Sequence, residues 1–258
     1  MTTDRSTLTT GLALLLAPWG LLIANASYAW ATRNGGSDDT GTGALLLAAV
    51  HPDLFRVALS AAMASCLLLV PAVLGLMHLT RHRAPWLGSV GGGLMIAGYC
   101  CYFGVLSTQF MVIAMAGTSG PHDAFARVLD AAQAEPSSTV VFLLFVLGNL
   151  VGTLLVGVAL LHNRTVPAWA AAGILLWPPL HIVGLVVGSE WFEVAGALLQ
   201  AVGMVAAGVM VLRHARSANP VGVENPVTGP DQRLRGWSVV ASPFPTRSAR
   251  SLDSRIQR

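Results

Sequence analysis

Two ionisable side chains, His181 and Glu193, stand inside apolar stretches near the middle of the segment LLWPPLHIVGLVVGSEWFEVAGALLQ, residues 175–200. An imidazole or a carboxylate in hydrocarbon is costly, and such groups mark proton relays, substrate paths or counter-ions. The segment reads as the outer halves of two helices broken by Pro178-Pro179 and joined by a tight turn at Ser189-Glu190. On the first helix Trp177, His181, Gly184 and Gly188 share a face; on the second Glu193, Gly196, Gln200 and Gly203 share one. At ~1.5 Å per residue His181 lies ~10 Å and Glu193 ~6 Å below the turn, so the two can meet. A Glu–His pair there favours both charged forms. The alternative is a neutral His181 bonded to a carbonyl freed by the prolines, with Glu193 turned to water.

Other polar residues fall at similar depth. Asn25 and Tyr28 end a first apolar run, and Asn149 stands in a later one beside Gly148 and Gly152. Together Asn25, Tyr28, Asn149, Trp177, His181, Glu193 and Gln200 are the expected ligand-binding residues of a polar pocket in the outer half. The short segments 44–50 and 123–134 are expected over its mouth. The competing expectation is a set of separate hydrogen bonds between helices.

Nothing else in the chain carries a sharper chemistry. His51, His122, His181, Asp53 and Asp123 would have to gather to hold a metal, but Asp53 and Asp123 read as helix caps and no HExxH spacing occurs. His78 and His162 sit near the same ends of alternate spans, which is the arrangement a b-type haem electron carrier would use, yet both adjoin basic connectors. No nucleophile elbow, P-loop or dinucleotide fingerprint is present, so no catalytic residue and no cofactor are expected, and the chain reads as a non-enzyme. The three cysteines, Cys66, Cys100 and Cys101, lie in apolar runs and read as small hydrophobes.

The elements that must position these residues are membrane spans. Of 258 residues 54% are hydrophobic and 10% charged, against roughly 25% charged in soluble domains. The pattern predicts an all-α transmembrane bundle in residues 1–212, with six spans at about 9–31, 54–80, 85–116, 139–161, 167–188 and 191–212. Residues 213–258, rich in Arg, Pro and Ser, read as a disordered cytoplasmic tail. The first span has a rival reading as a signal peptide, because Ala24-Asn25-Ala26 resembles a cleavage site. Arg81, Arg83 and Arg164 occupy two short connectors and further arginines fill the tail, whereas the loops on the opposite side are rich in Asp and Glu. By the positive-inside rule both termini are cytoplasmic. Sequence pI is near 9.1, but arginines at membrane edges do not argue for nucleic acid. An offset of 82 residues pairs Gly75 with Gly157, Pro85 with Pro167 and Gly91 with Gly173, a weak internal repeat of two hairpins. Gly-rich helix faces leave room for a homo-oligomer.

The stretches LLLVPAVLGLMHLTRHRAPWLGSVGGGLMIAG and VGTLLVGVALLHNRTVPAWAAAGIL resemble uncharacterised six-span integral membrane proteins common in high-GC bacteria. The resemblance covers residues 9–212 and implies a multi-pass protein of the bacterial inner membrane. It brings no activity and no site residue. The expected function is therefore that of an integral membrane protein binding a small molecule or lipid. A transporter or proton-coupled permease using His181 and Glu193 is the alternative.

Overall fold

Proline punctuates this chain, and the helices follow it. The computed structural model describes the backbone of residues 2–218 and the side chains of residues 6–213. The described residues form eight helices and no strand: α1 Thr2–Thr32, α2 Gly41–Val50, α3 Pro52–Thr80, α4 Pro85–Ala116, α5 His122–Ala134, α6 Pro136–Asn163, α7 Ala168–Val187 and α8 Trp191–Ala218. Pro52, Pro85 and Pro136 each occupy the first turn, where a missing N–H costs nothing. α1, α3, α4, α6, α7 and α8 are long and apolar enough to cross a membrane. The chain is an all-α, six-span membrane bundle.

The boundaries correct several expectations. Pro178-Pro179 does not break α7, which runs continuously from Ala168 to Val187. The cap before α3 is His51, not Asp53; Asp53 lies in the first turn and pairs with Arg56 at 2.8 Å. α8 continues past Arg213 to Ala218, so the first residues expected in the tail are helical. The rest of that segment, 219–258, lies outside the described residues.

The six spans pack as a ring in the order α1–α3–α4–α6–α7–α8 and back to α1. Small residues set the close approaches. A Cβ on Gly20 would strike the Ala61 carbonyl of α3, one on Gly148 the Leu94 carbonyl of α4, and one on Gly203 the Ala170 carbonyl of α7. Without a hydrophobic drive between helices in lipid, such backbone proximity supplies the dispersion contacts that hold spans together. The Gly-rich faces that left room for an oligomer thus meet helices of the same chain; Gly93 and Gly104 alone among the span glycines face open space. Leu14, Leu69, Val73, Met95, Val156, Ile174 and Met204 fill the ring, all fully buried. Leu14 of α1 is among them, so the first span is part of the core. Ser65 of α3 donates to the Ala17 carbonyl of α1 across that same contact.

The α6–α7 contact is the least extensive of the ring. It is tight near Gly157, whose face meets Leu175. Toward the other end every residue from Glu135 to Leu144 is exposed, and so are Leu185, Val186 and Val187 of α7. The seam between α6 and α7 is closed at one end of the bundle and open to lipid at the other.

The two ends differ in charge. Every acidic residue between 6 and 213 lies at the end holding the 33–51, 117–135 and 188–190 loops, hereafter the acidic end. The basic end holds the connectors 81–84 and 164–167, with Arg81, Arg83 and Arg164. α2 and α5 cover part of the acidic end, packed on each other and on α4. Asp130 of α5 accepts from the Gly41 N–H at 2.6 Å and Thr40 from that of Gly43 at 3.1 Å, so both cap the start of α2.

Candidate functional site

Gly188 adopts φ +70 and stops α7, and the chain turns directly into α8. That tight antiparallel hairpin brings His181 and Glu193 together. His181 Nδ1 lies 3.2 Å from Glu193 Oε2, with the two side chains 21% and 22% exposed. The separation is that of an ion pair, while the alignment falls short of a good hydrogen bond. The expected pairing is present, and the carbonyl-bonded alternative for His181 is not. Trp177, one turn deeper, stacks on the imidazole with centroids 5.4 Å apart and planes 18° from parallel. Gly196 of α8 admits that indole, because a side chain there would meet Trp177.

Two groups absent from the sequence-based site, Glu190 and Asp38, extend it outward. Glu190 in the α7–α8 turn lies within electrostatic reach of Glu193, Asp38 and His181. Burial raises its carboxyl above the ordinary carboxylate range; the charges of Glu193 and Asp38 push the same way, and His181 opposes them. Asp38, from the 33–40 loop, accepts a 2.5 Å hydrogen bond from the Tyr28 hydroxyl of α1. The loop, and not α2 or α5, thus brings a side chain to the pair. Asp38 was legible as part of a polar Gly/Ser/Asp run, but its position in space depends on how that loop folds back on α1.

Asn149 and Gln200 belong to a second, deeper group. Both are buried, as are Thr153 and Tyr99. The Tyr99 hydroxyl of α4 lies close to the side-chain amides of Gln200 on α8 and Asn149 on α6. Asn149 Oδ1, Thr153 Oγ1 and Gln200 Nε2 make no well-aligned hydrogen bond, although the Tyr99 hydroxyl stands beside both amides. Asn149 is ~20 Å along α6 from its start, near mid-membrane. Polar atoms at such depth are expensive to leave unpaired. Thr153, one turn from Asn149, is legible beside it, whereas Tyr99, in the apolar run GYCCYF, gives no signal beyond ordinary packing.

The residues expected to line one pocket therefore fall into two groups at different depths. Tyr28, Trp177, His181 and Glu193 form the outer tier with Asp38 and Glu190; Asn149 and Gln200 form the inner tier with Tyr99 and Thr153. Gln200 is two turns below Glu193 on one face of α8, and Tyr102, one turn above Tyr99 on α4, is within electrostatic reach of Glu193 and Asp38. Tyr102 stacks on Phe145 of α6 at 4.3 Å, beside the open part of the α6–α7 seam. Asn25 is half-buried on α1 and no contact ties it to either tier.

The other chemistries considered do not assemble. Among the described residues no three of His, Cys, Asp and Glu gather as metal ligands. His78 contacts Arg81 at 3.3 Å, and His162 lines a cleft with Arg83 and Arg164 at the basic end.

The six apolar helices define an integral membrane protein, with polar side chains gathered in its interior and toward its acidic end. The chain matches no family model, and neither a curated protein nor a solved structure is significantly similar to it.

Proposed function

We propose that this protein binds a small amphiphilic molecule inside its helix ring, through the inner tier, with the outer tier selecting a cationic or hydrogen-donating head. The observation that carries the reading is the set of polar atoms on Asn149, Thr153 and Gln200 that make no well-aligned hydrogen bond around Tyr99. They offer acceptors and a donor at mid-membrane depth, so a ligand with one hydroxyl, amide or amine would satisfy them. The open α6–α7 seam supports entry of an apolar body from lipid, and the carboxylates of Asp38, Glu190 and Glu193 support attraction of a positive head. Arg placement supports both termini lying in the cytoplasm and the acidic end facing out. The resemblance to six-span proteins of high-GC bacteria supports the inner membrane as the location.

Native mass spectrometry of the protein purified in mild detergent tests this directly. A reproducible bound mass is expected, lost in Gln200→Leu and in Asn149→Leu. A bare chain mass in the unaltered protein, across detergents mild enough to retain lipid, refutes it.

The 3.2 Å His181–Glu193 pair favours a second reading, a proton-coupled permease. An ion pair open to one side and continuous with a polar interior can take up and release a proton as a substrate passes. In vesicles under a pH gradient, Glu193→Gln would then abolish proton flux while leaving the protein folded. Equal flux in both proteins counts against this reading and leaves simple binding.

A further inference from the structure

The basic end holds two clefts, and both combine arginine with apolar side chains. The larger, about 650 Å³, is lined by Arg83, His162, Arg164, Val158 and Leu161. The smaller, about 260 Å³, is lined by Arg81, His78, Leu74, Met77 and Ser89. Neither takes part in the acidic-end site.

The larger cleft is built, not incidental. Its arginines come from separate connectors, and one side chain fixes both. Asn163 donates to the Thr80 carbonyl at 2.9 Å and to the Ala159 carbonyl at 3.0 Å, and accepts from the Arg83 N–H at 2.8 Å. It joins the end of α3 to the end of α6 while itself buried. Arg164 follows with φ 54, a left-handed cap that turns the chain out of α6 immediately after the clamp. The backbone segments that carry the two arginines are therefore fixed on either side of one opening.

Among the described residues no acidic side chain lies at this end, so they give the cleft a net positive field. One wall is apolar: Val158 is 44% exposed and, with Leu161, leads from the arginines up α6 toward hydrocarbon. Trp86 and Trp169, 77% and 60% exposed, begin α4 and α7 at the same level, where indoles mark the headgroup layer. An anion that also carries acyl chains fits both features. A soluble anion would use the rim and leave the wall idle. The chain's own C-terminal segment is a poor occupant, since its arginines outnumber its acids.

We propose that the cleft between the two connectors binds the phosphate of an anionic phospholipid, with Arg83 and Arg164 as its ligands and Val158 and Leu161 against its acyl chain. Arginine suits this role because its planar fork meets two phosphate oxygens at once. The lipid would bridge the α3–α4 and α6–α7 connectors at the end of the ring that Asn163 already ties together.

The test uses the full chain in mild detergent, titrated with phosphatidylglycerol or phosphatidylcholine and read by native mass spectrometry. Phosphatidylglycerol should be retained about thirtyfold more strongly, the fold-change two arginines carry at an anionic surface. Arg83→Gln/Arg164→Gln should fall to the phosphatidylcholine level, and Arg56→Gln at the opposite end should not change. Equal retention of the two lipids, an undiminished preference in the double variant, or displacement by soluble glycerol phosphate at lipid-like concentration overturns the proposal. Should the double variant misfold, a photoreactive phosphatidylglycerol on the unaltered chain decides: labelling of the peptides holding residues 81–83 and 162–164 supports the site, and labelling confined to other segments overturns it.

Discussion

Replacing Asn163 by alanine removes the joint between two hairpins, and its cost can be worked bond by bond. The side chain makes three hydrogen bonds, two to carbonyls and one from the Arg83 N–H. One of these, to Ala159, lies within its own helix, and that carbonyl keeps the backbone bond of the helix. The Thr80 and Arg83 bonds cross between connectors and have no replacement. A buried hydrogen bond contributes about 0.5–1.5 kcal/mol net, and an N–H left unpaired costs about 1–3 kcal/mol. The expected loss is about 2–4 kcal/mol, a large share of the stability of any single domain. Asn163→Asp keeps the oxygen that serves Arg83 and loses the donor to Thr80, so it should cost about half as much. The assay is reversible unfolding in mixed micelles, compared among the three proteins. A loss below about 0.5 kcal/mol in Asn163→Ala, or equal losses in Ala and Asp, would refute the argument that this side chain clamps the connectors.

Three further outcomes follow from the same reasoning. Gln200→Leu should raise thermal stability in the absence of added ligand by about 1–2 kcal/mol, because it removes an unpaired buried donor at little change in volume; a thermal scan in detergent reads it, and a loss of stability would mean that Gln200 already has a partner. Gly148→Val places two methyls against the Leu94 carbonyl, so α4 and α6 must separate at a cost of about 1–3 kcal/mol, read by the same scan, and an unchanged midpoint would mean the contact is looser than described. Glu190 titrates above the ordinary carboxylate range in the folded protein, so the fold binds this proton more tightly than the unfolded chain. Its stabilising effect is present at acid pH and is lost as pH rises from the ordinary value of 4.5 through the raised one. Glu190→Gln should flatten that part of the stability–pH curve and raise stability at neutral pH; a curve parallel to the unaltered protein's would remove Glu190 from the buried cluster.

What the sequence made legible was whatever depends on one helix at a time. Apolar length gave six spans, and face periodicity put Trp177 with His181 and Glu193 with Gln200. The short turn at Ser189-Glu190 then brought the two faces together. What it left open was everything that depends on which helices are neighbours. Asn149 and Gln200 read as members of one pocket with His181, yet they face Tyr99 of α4 a tier deeper, and no single-helix pattern says that α4 and α8 approach across the ring. Asn25 looked equivalent to Tyr28 but is joined to nothing in either tier. Asn163 read as part of a basic turn, because a clamp is defined by the carbonyls it reaches, and those belong to a helix 83 positions away. The Pro178-Pro179 pair suggested a break. α7 absorbs it, because the helix needs only a few hydrogen bonds less where its neighbour α8 packs through glycine.

The placement of small residues explains why the ring opens where it does. α6 turns Gly148 and Gly152 toward α4, and α7 turns Gly173 and Gly184 toward the backbone of α8 and its turn. Each helix thus spends its close-approach face on a different neighbour. Between α6 and α7 only Gly157 serves, near the basic end, and beyond it bulky side chains hold the helices apart. In lipid there is no water to be expelled from that gap, so nothing drives it closed. The same distribution of glycines that makes five contacts of the ring tight therefore leaves the sixth loose beyond Gly157.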